Sequence, residues 1–387
     1  YSGLRISKEA ATILAMRVAL YEGSWEKYHK GTKFATEDNH TEFFQEVMKW
    51  GDEQFFKSKL ALNTKDTDKE YVNAEDAFAH LFNKKDLSQI QEAVLWKKYS
   101  VADGVFHRLG ALLASGAVDG QGPSGLSKSL VDNYLNADGT FINPKDEKYK
   151  DFNEMFKERD ARLLVTVMHS GPDCKYRASS PTNKPMNVRA YDATGTEDEM
   201  KEKNEDIVSP NLNGDGNSKS VTGFHIRLGI DTTYVDNESE TVVVLFRYAE
   251  GLLCYAEAAE ELDLCTDDVL NKTLKPLRER AGVTYVKPTK ADPNFPFTGL
   301  SPVLQEIRRE RRSELALQGF RLDDLMRWAV AGTLKGQDGR GRGAYLGEDG
   351  VLYKSFSPKG RESLKLVLKD NDGWTDPLQQ YLPQGYL

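Results

Sequence analysis

Apolar side chains recur at the three- and four-residue spacing of a helix toward both ends of the chain. Residues 4–22 show this pattern, and Gly23 is predicted to end the helix. A second helix is predicted through TEFFQEVMKWGDEQFFKSKLAL, where Gly51 suits a close crossing with another helix, and a short one at EDAFAHLFN. The same spacing returns in VLFRYAEGLLCYAEAAEEL and in TDDVLNKTLKPLRERAG, which begins at the N-cap residue Thr266. A further helix is predicted to follow the N-cap residue Ser301.

The pattern changes between residues 116 and 239, where clusters of Gly, Pro, Asn, Asp and Ser mark turns and long loops. Two segments with β-branched or aromatic side chains, EAVLWKKYS and RLLVTVMH, are predicted to be strands. Paired amphipathic helices with small residues at their crossings favour tetratricopeptide-like packing. The predicted fold is therefore mainly α. Residues 4–115 and 240–335 form a scaffold of helix pairs, and residues 116–239 form a loop-rich region with short strands that is predicted to bind the ligand.

The composition of the 387 residues suits a globular protein and restricts its partners. Hydrophobic residues make up 39% of the chain, and the net charge of −8 argues against nucleic acid, because phosphates attract basic proteins. No apolar run reaches the ~20 residues that span a bilayer. The three cysteines are too few and too scattered for a disulfide framework or a zinc site, and Cys254 and Cys265 are predicted to be buried as small apolar side chains.

The segment LQEIRRERRSELALQGFRLDDLMRWAV mixes arginines with acidic residues on a helical pattern. A nucleic-acid-binding helix would not carry so much compensating acid, and a catalytic cluster would need a nucleophile or a histidine. We therefore predict a structural role, in which Arg and Glu side chains pair along the helix, as Arg311 and Glu314 can, and with neighbouring helices. Arg247, Glu250 and Glu257 are predicted to face other helices in the same way.

No motif predicts catalysis, a cofactor or a bound metal. The six histidines form no His-Glu-x-x-His helix. The stretch NLNGDGN is similar to a calcium loop, but Thr222 stands where a bidentate Glu is required. The stretch GQDGRGRGAYLG lacks the Gly-Lys-Ser/Thr of a phosphate-binding loop. A carboxylate pair for glycoside hydrolysis forms only in the folded chain, so a glycan-active enzyme stays open as an alternative.

Five segments are informative when they are taken together. In chain order they are AATILAMRVALYEGSW, LVDNYLNADGT, FNEMFKERDARLLVTV, FRYAEGLLCYAEAAEEL and EIRRERRSELALQGFRLDDLMRW. In this order they resemble the SusD/RagB family, whose members are surface lipoproteins that bind nutrients for a TonB-dependent outer-membrane channel. The resemblance implies a single SusD-like domain over residues 1–387 that is incomplete at both ends. The family's lipidated N-terminal cysteine, first helices and terminal Pro-Ile-Pro and Asn-Pro segments are absent from this sequence.

The resemblance also implies a function. It implies a non-enzymatic protein that is exposed on the cell outer membrane and anchored by lipid through a cysteine outside this chain. Its expected partners are a SusC-like TonB-dependent transporter and an oligosaccharide or polysaccharide ligand, with no nucleic acid. The alternatives are a RagB-like peptide-binding protein, a glycan-active enzyme, and a helical-repeat adaptor that binds proteins.

Aromatic residues in the long loops are predicted to be exposed and are the candidates for ligand contact, because sugar rings stack on aromatic faces while guanidinium groups bind hydroxyls. The predicted ligand-binding residues are Tyr176, Arg177, Arg189, Tyr191 and Tyr134. The other loop aromatics considered are Phe141, Tyr149, Tyr234, Tyr345 and Trp374. The first four are predicted to share one exposed face away from the helix pairs.

Overall fold

A computed structural model describes most of the scaffold and parts of the loop-rich region. The described residues are 3–35, 37–108, 125–169, 220, 222–230, 238–331, 342–355, 361–362, 364–365, 367 and 369–376. Within them the protein is mostly helical, as predicted, and its helices surround one two-stranded sheet. The division into a helical scaffold and a ligand-binding region stays a prediction, as does the tetratricopeptide-like geometry of the helix pairs.

The first two helices pack side by side. Helix α1 spans Lys8–Tyr28 and is capped by Ser7, and helix α2 spans His40–Trp50 and continues into one π-helical turn, Gly51–Phe55. The prediction that Gly23 ends α1 is wrong. A Cβ at Gly23 would lie 2.9 Å from Phe44 Cδ1, so this glycine lets α2 approach closely while the helix continues.

A central helix, α6 (Tyr248–Glu261), lies against both of these helices, and most of its residues are buried. The close crossing predicted at Gly51 is confirmed, because a Cβ there would lie 2.2 Å from Tyr255 Cδ2. Gly251 on α6 has the same relation to Phe55, at 2.2 Å from its Cε2. The main hydrophobic core forms where these helices meet.

The sheet pairs strand β1 (Ala93–Lys97) with strand β2 (Val243–Arg247) in antiparallel register. The predicted strand EAVLWKKYS is confirmed by β1, and VLFR forms β2 before α6 begins. The prediction of a strand at RLLVTVMH is wrong, since helix α5 occupies Ala161–Thr166. Its start is fixed by Asp160, whose carboxylate accepts a hydrogen bond from the backbone N–H of Arg162 at 2.9 Å.

The remaining helices are short. They are α3 (Ala74–Asn83), α4 (Lys128–Val131), α7 (Asp267–Lys272), α8 (Leu274–Arg280), α9 (Pro302–Glu314), α10 (Arg321–Arg327) and α11 (Val351–Ser355). Two 3₁₀ turns occupy Glu147–Lys150 and Glu154–Phe156. The predicted caps are confirmed, because Thr266 Oγ accepts from the backbone of Val269 and Ser301 Oγ from that of Leu304.

A second core joins the loop-rich segments to the C-terminal part of the described chain. Tyr134, Tyr149, Phe152, Phe224 and Trp374 are among its buried members. Cys254 is buried as predicted, and Cys265 is partly buried. Among the described helices, none combines the length and the apolarity required to cross a bilayer.

Candidate ligand-binding site

Helix α9 carries charged side chains into the protein interior. Its buried charged residues are Glu306, Arg308, Arg309, Glu310, Arg311 and Glu314. Three of its arginines pair with carboxylates from other elements: Arg308 with Glu261 at 3.3 Å, Arg309 with Asp292 at 2.6 Å and Arg311 with Asp324 at 2.8 Å. The predicted pairing with neighbouring segments is confirmed, and these ion pairs fix the position of the helix.

Glu314 sits at the centre of this buried network. It pairs with Arg162 at 2.6 Å and also with Arg247 and Arg280. Burial disfavours the charged form, but the three guanidinium groups outweigh it and lower the pKa of Glu314 well below its usual value. The predicted pairing of Arg311 with Glu314 does not form, because these two buried side chains turn to different partners.

Arg247, Glu250 and Glu257, at the start of α6 and along it, were predicted to face neighbouring helices, and all three pair with residues of other segments. Glu257 accepts two hydrogen bonds from Arg327, both of 2.7 Å, and Glu250 pairs with Arg17. Arg247 joins the Glu314 cluster and also contacts Glu92 at 2.8 Å. These ion pairs join residues far apart in the chain and hold α6 against α1, α9 and α10.

One side of α9 borders a cavity of about 740 Å³, which we call the loop pocket. The residues that line the pocket come from five parts of the chain. These parts are α4 with the residues that follow it, the loop that leads into the first 3₁₀ turn, the segment before α9, α9 itself and the C-terminal part of the described chain. The lining residues are Lys128, Ser129, Asp132, Asn133, Ile142, Pro144, Lys145, Asp146, Glu147, Lys150, Asp292, Pro293, Asn294, Phe295, Pro296, Arg309, Arg312, Arg342, Asp372 and Trp374.

Most charged groups of the loop pocket are held by partners within the chain. Lys128 pairs with Asp132, and Arg342 pairs with Asp370 at 2.8 Å. Burial raises the pKa of the Asp132 carboxyl above its usual value, although Lys128 opposes this effect. The pocket therefore presents a fixed set of guanidinium, ammonium, carboxylate and amide groups, which can donate to and accept from the hydroxyls of a polar ligand.

The aromatic residues of the loop pocket are largely covered. Phe295 is 9% exposed and Trp374 is 8% exposed. The ammonium of Lys128 lies 4.6 Å from the centre of the Trp374 ring, and Tyr345 packs edge-on against that ring at 5.2 Å between centroids. Polar and charged side chains therefore outnumber aromatic ones in the described lining, and neither of its two aromatic rings offers a broad face for stacking.

The structure places one of the predicted ligand-binding residues. Tyr134 is fully buried, and its hydroxyl donates to Thr166 Oγ1 at 3.0 Å. The expectation that it presents an exposed ring is wrong, because it fills the second core beneath the loops. The same correction applies to Tyr149, Tyr345 and Trp374, whose side chains are also buried.

The other four predicted residues, Tyr176, Arg177, Arg189 and Tyr191, lie outside the described residues, and their placement stays a prediction. Sequence reasoning missed Lys128, Asn294 and Arg312 as pocket residues. No spacing in the sequence relates these three positions, since only the folded chain brings them together.

A second concavity, the apolar groove, lies between α1, β2 and the turn that joins α9 to α10. It encloses about 640 Å³. Val18, Leu245 and Leu317 line it and are each about half exposed. The paired side chains of Arg311 and Asp324 also contribute to its lining.

Comparison with known proteins identifies the family. The sequence pattern of the SusD family matches residues 88–367, which is more than half of the chain. The chain belongs to the SusD family. Among the described residues of this SusD family member, no cluster of His, Cys, Asp and Glu side chains could hold a metal ion. No curated protein matches the sequence.

Solved structures of SusD-like proteins share the fold. A SusD-like carbohydrate binding protein from Bacteroides fragilis has a TM-score of 0.56 and 20% identity over 96% of this chain. Another SusD-like protein from the same organism has a TM-score of 0.53 and 19% identity over 89% of this chain. This SusD family member spans 60% and 58% of the lengths of these two proteins.

Proposed function

We propose that this protein is a non-enzymatic binding protein that captures a glycan at the cell surface and that the loop pocket is its ligand site. The observation that carries the proposal is the pocket itself, in a chain that belongs to the SusD family. Its volume of about 740 Å³ lies within the range of roughly 300–1,000 Å³ that is usual for small-molecule sites. A solved neighbour with this fold is named a carbohydrate binding protein.

The chemistry of the pocket suits a ligand with many hydroxyl groups. Arg312 and Asn294 supply N–H donors, and Asp372 supplies carboxylate acceptors. A neutral hydrogen bond contributes ~0.5–1.5 kcal/mol and one to a charged group ~1.5–3 kcal/mol. A few such bonds give moderate affinity, which fits a protein that captures a glycan and then releases it.

The biological setting is part of the same proposal. The protein is exposed on the outer membrane, where it delivers its ligand to a SusC-like TonB-dependent transporter. Co-purification of a tagged protein with such a transporter from outer-membrane extracts is the expected result, and recovery without one contradicts this part of the proposal.

The glycan proposal is tested by blocking the loop pocket. Asn294 is exposed and lines the cavity, so Asn294→Trp should fill the entrance without disturbing a core. Affinity gels containing neutral or acidic polysaccharides should retard the wild type, and Asn294→Trp should run faster in the gel that retards it. The exposed residue Lys69 lies outside the pocket lining, so Lys69→Trp serves as the matched control and should bind like the wild type.

Three results distinguish the alternatives. If no polysaccharide binds, glycan capture is rejected. If Asn294→Trp binds fully but the Tyr176→Ala/Tyr191→Ala double variant does not, the ligand site lies at the predicted tyrosines instead of the loop pocket. If the wild type steadily releases product from a polysaccharide, the protein is an enzyme.

The apolar groove favours a second candidate function, the binding of a peptide or protein segment. Half-exposed Val18, Leu245 and Leu317 offer an apolar surface that the apolar side chains of a peptide can cover. Leu245→Asp should then abolish binding to a library of immobilised peptides while leaving glycan binding intact. Absence of any peptide binding by the wild type rejects this candidate.

A further inference from the structure

Arg312 differs from its neighbours on α9 because no carboxylate among the described residues forms an ion pair with it. Arg308, Arg309 and Arg311 are each paired with a carboxylate. Arg312 donates one hydrogen bond to Ser129 Oγ at 2.9 Å, and within the described part of the chain it belongs to no ion pair. Its side chain is partly exposed, and the exposed part borders the loop pocket.

The surroundings of Arg312 disfavour its positive charge. Burial lowers the pKa of the Arg312 guanidinium below its usual value, and the nearby positive charges of Arg321 and Arg309 lower it further. Tyr134 and Asp132 oppose this shift, but Asp132 pairs with Lys128 and forms no ion pair with Arg312. Since a guanidinium stays protonated in proteins, Arg312 is a partly desolvated cation whose counter-ion the described chain does not supply.

The lining of the loop pocket is less acidic than the chain as a whole. Its lining carries six basic and five acidic side chains, whereas the whole chain has a net charge of −8. Lys145 is exposed in the lining and adds a second cation for which the described residues offer no ion pair. Asp370 pairs with Arg342 from outside the lining and balances these charges, so the loop pocket is near neutral on an acidic protein, and an anion that enters it is attracted by Arg312 and Lys145.

We infer that the glycan of the loop pocket is acidic and that Arg312 binds its carboxylate or sulfate group. This inference rests on the proposed glycan-binding function and specifies its ligand class. A guanidinium presents parallel N–H groups that match the two oxygens of a carboxylate or sulfate. Ser129 holds one of its N–H groups, so the remaining ones are available to the ligand.

The test compares ligands that differ in charge alone. Trigalacturonate and its methyl ester share a sugar skeleton, and a sulfated heparin disaccharide and its desulfated form make a second such pair. Calorimetry in 50 mM and 500 mM salt should show at least one acidic probe binding tenfold or more tightly than its neutral counterpart. The higher salt should reduce the difference, because salt screens charges. A charge preference within the galacturonate pair indicates a carboxylate ligand, and one within the heparin pair indicates a sulfate ligand.

Variants then assign the effect to Arg312. Arg312→Gln should remove the preference for the acidic probe. Arg312→Lys should keep part of this preference, because lysine retains the positive charge but lacks the parallel N–H groups of a guanidinium. The control Lys69→Gln removes one positive charge far along the chain from the pocket residues and should keep the full preference. If Arg312→Gln does not fold, the wild-type comparison and Arg312→Lys still decide the question.

Three outcomes overturn the inference. The first is that the wild type binds acidic and neutral probes equally, and the second is that no acidic probe binds. The third is that Arg312→Gln keeps the preference, even if it weakens both members of a pair to the same extent. Binding of neutral polysaccharides in the affinity gels would leave the proposed function standing in each case, so the two failures are distinguishable.

Discussion

Glu314→Gln removes the central charge of the buried network while nearly preserving side-chain volume. In the folded protein Glu314 meets Arg162, Arg247 and Arg280. The amide of the variant can still accept hydrogen bonds, but the positive charge of three buried guanidinium groups is no longer offset by this carboxylate. We therefore expect the free energy of unfolding to fall.

The remaining partners set the size of this loss. Breaking a buried ion pair typically costs ~3–5 kcal/mol. Arg162 keeps Asp160 at 2.7 Å, and Arg247 and Arg280 both keep Glu92, at 2.8 Å and 3.2 Å. Because each arginine retains a carboxylate, we expect the lower end of the range, about 3 kcal/mol. That is a large part of the ~5–15 kcal/mol by which most proteins are stable.

Urea denaturation at pH 7, followed by tryptophan fluorescence and circular dichroism, measures the loss. At about 2 °C per kcal/mol for a large domain, the melting temperature should fall by about 6 °C. Glu46→Gln is the matched control, since Glu46 pairs with Lys49 at 2.9 Å on an exposed helix surface, and it should cause no measurable change. If Glu314→Gln unfolds at the wild-type urea concentration, the network does not need this charge and the reasoning fails.

Three further predictions follow from burial. Burial opposes ionisation of Glu257, but Arg327 and other guanidinium groups outweigh it and lower the pKa of this carboxyl from 4.5 to about 2. The contribution of Glu257 to stability is therefore complete above about pH 4.5 and is lost as the pH falls toward 2. Acid titration of unfolding should show this decline, and a smaller one in Glu257→Gln. Gly51→Ala should lower stability by ~1–3 kcal/mol in urea melts, because its Cβ would meet the Tyr255 ring, whereas an unhindered helical Gly→Ala raises stability. Burial raises the pKa of the Cys254 thiol to about 12. In a variant whose other two cysteines are replaced by alanine, Cys254 should therefore react with maleimide at pH 8 only after the protein unfolds. Rapid labelling of the native protein would contradict this prediction.

Local signals allowed the sequence to predict much of the scaffold. Ser301 and Thr266 were recognised as N-caps because a cap bonds to backbone groups within three residues. Strand β1 was recognised from its own composition, and Gly51 from the need for close approach. The failure at RLLVTVMH has one tertiary cause and one local cause. The β-branched residues favoured a strand, but Arg162 pairs with Glu310, 148 residues away, and the cap at Asp160 starts a helix.

The sequence by itself determined the family, the helical character and the presence of a charged structural segment, because each depends on motifs or on neighbours along the chain. Only the tertiary structure decided which arginine is left without a carboxylate. Arg309 and Arg312 belong to the same run of arginines, yet among the described residues Asp292 pairs with the first, whereas the second bonds to Ser129 and to no carboxylate. The tertiary structure also buries Tyr134, although the loop-like sequence around this residue favoured exposure. Pairing and burial depend on which distant residues the fold brings within a few ångströms, and no spacing in a single sequence encodes that distance.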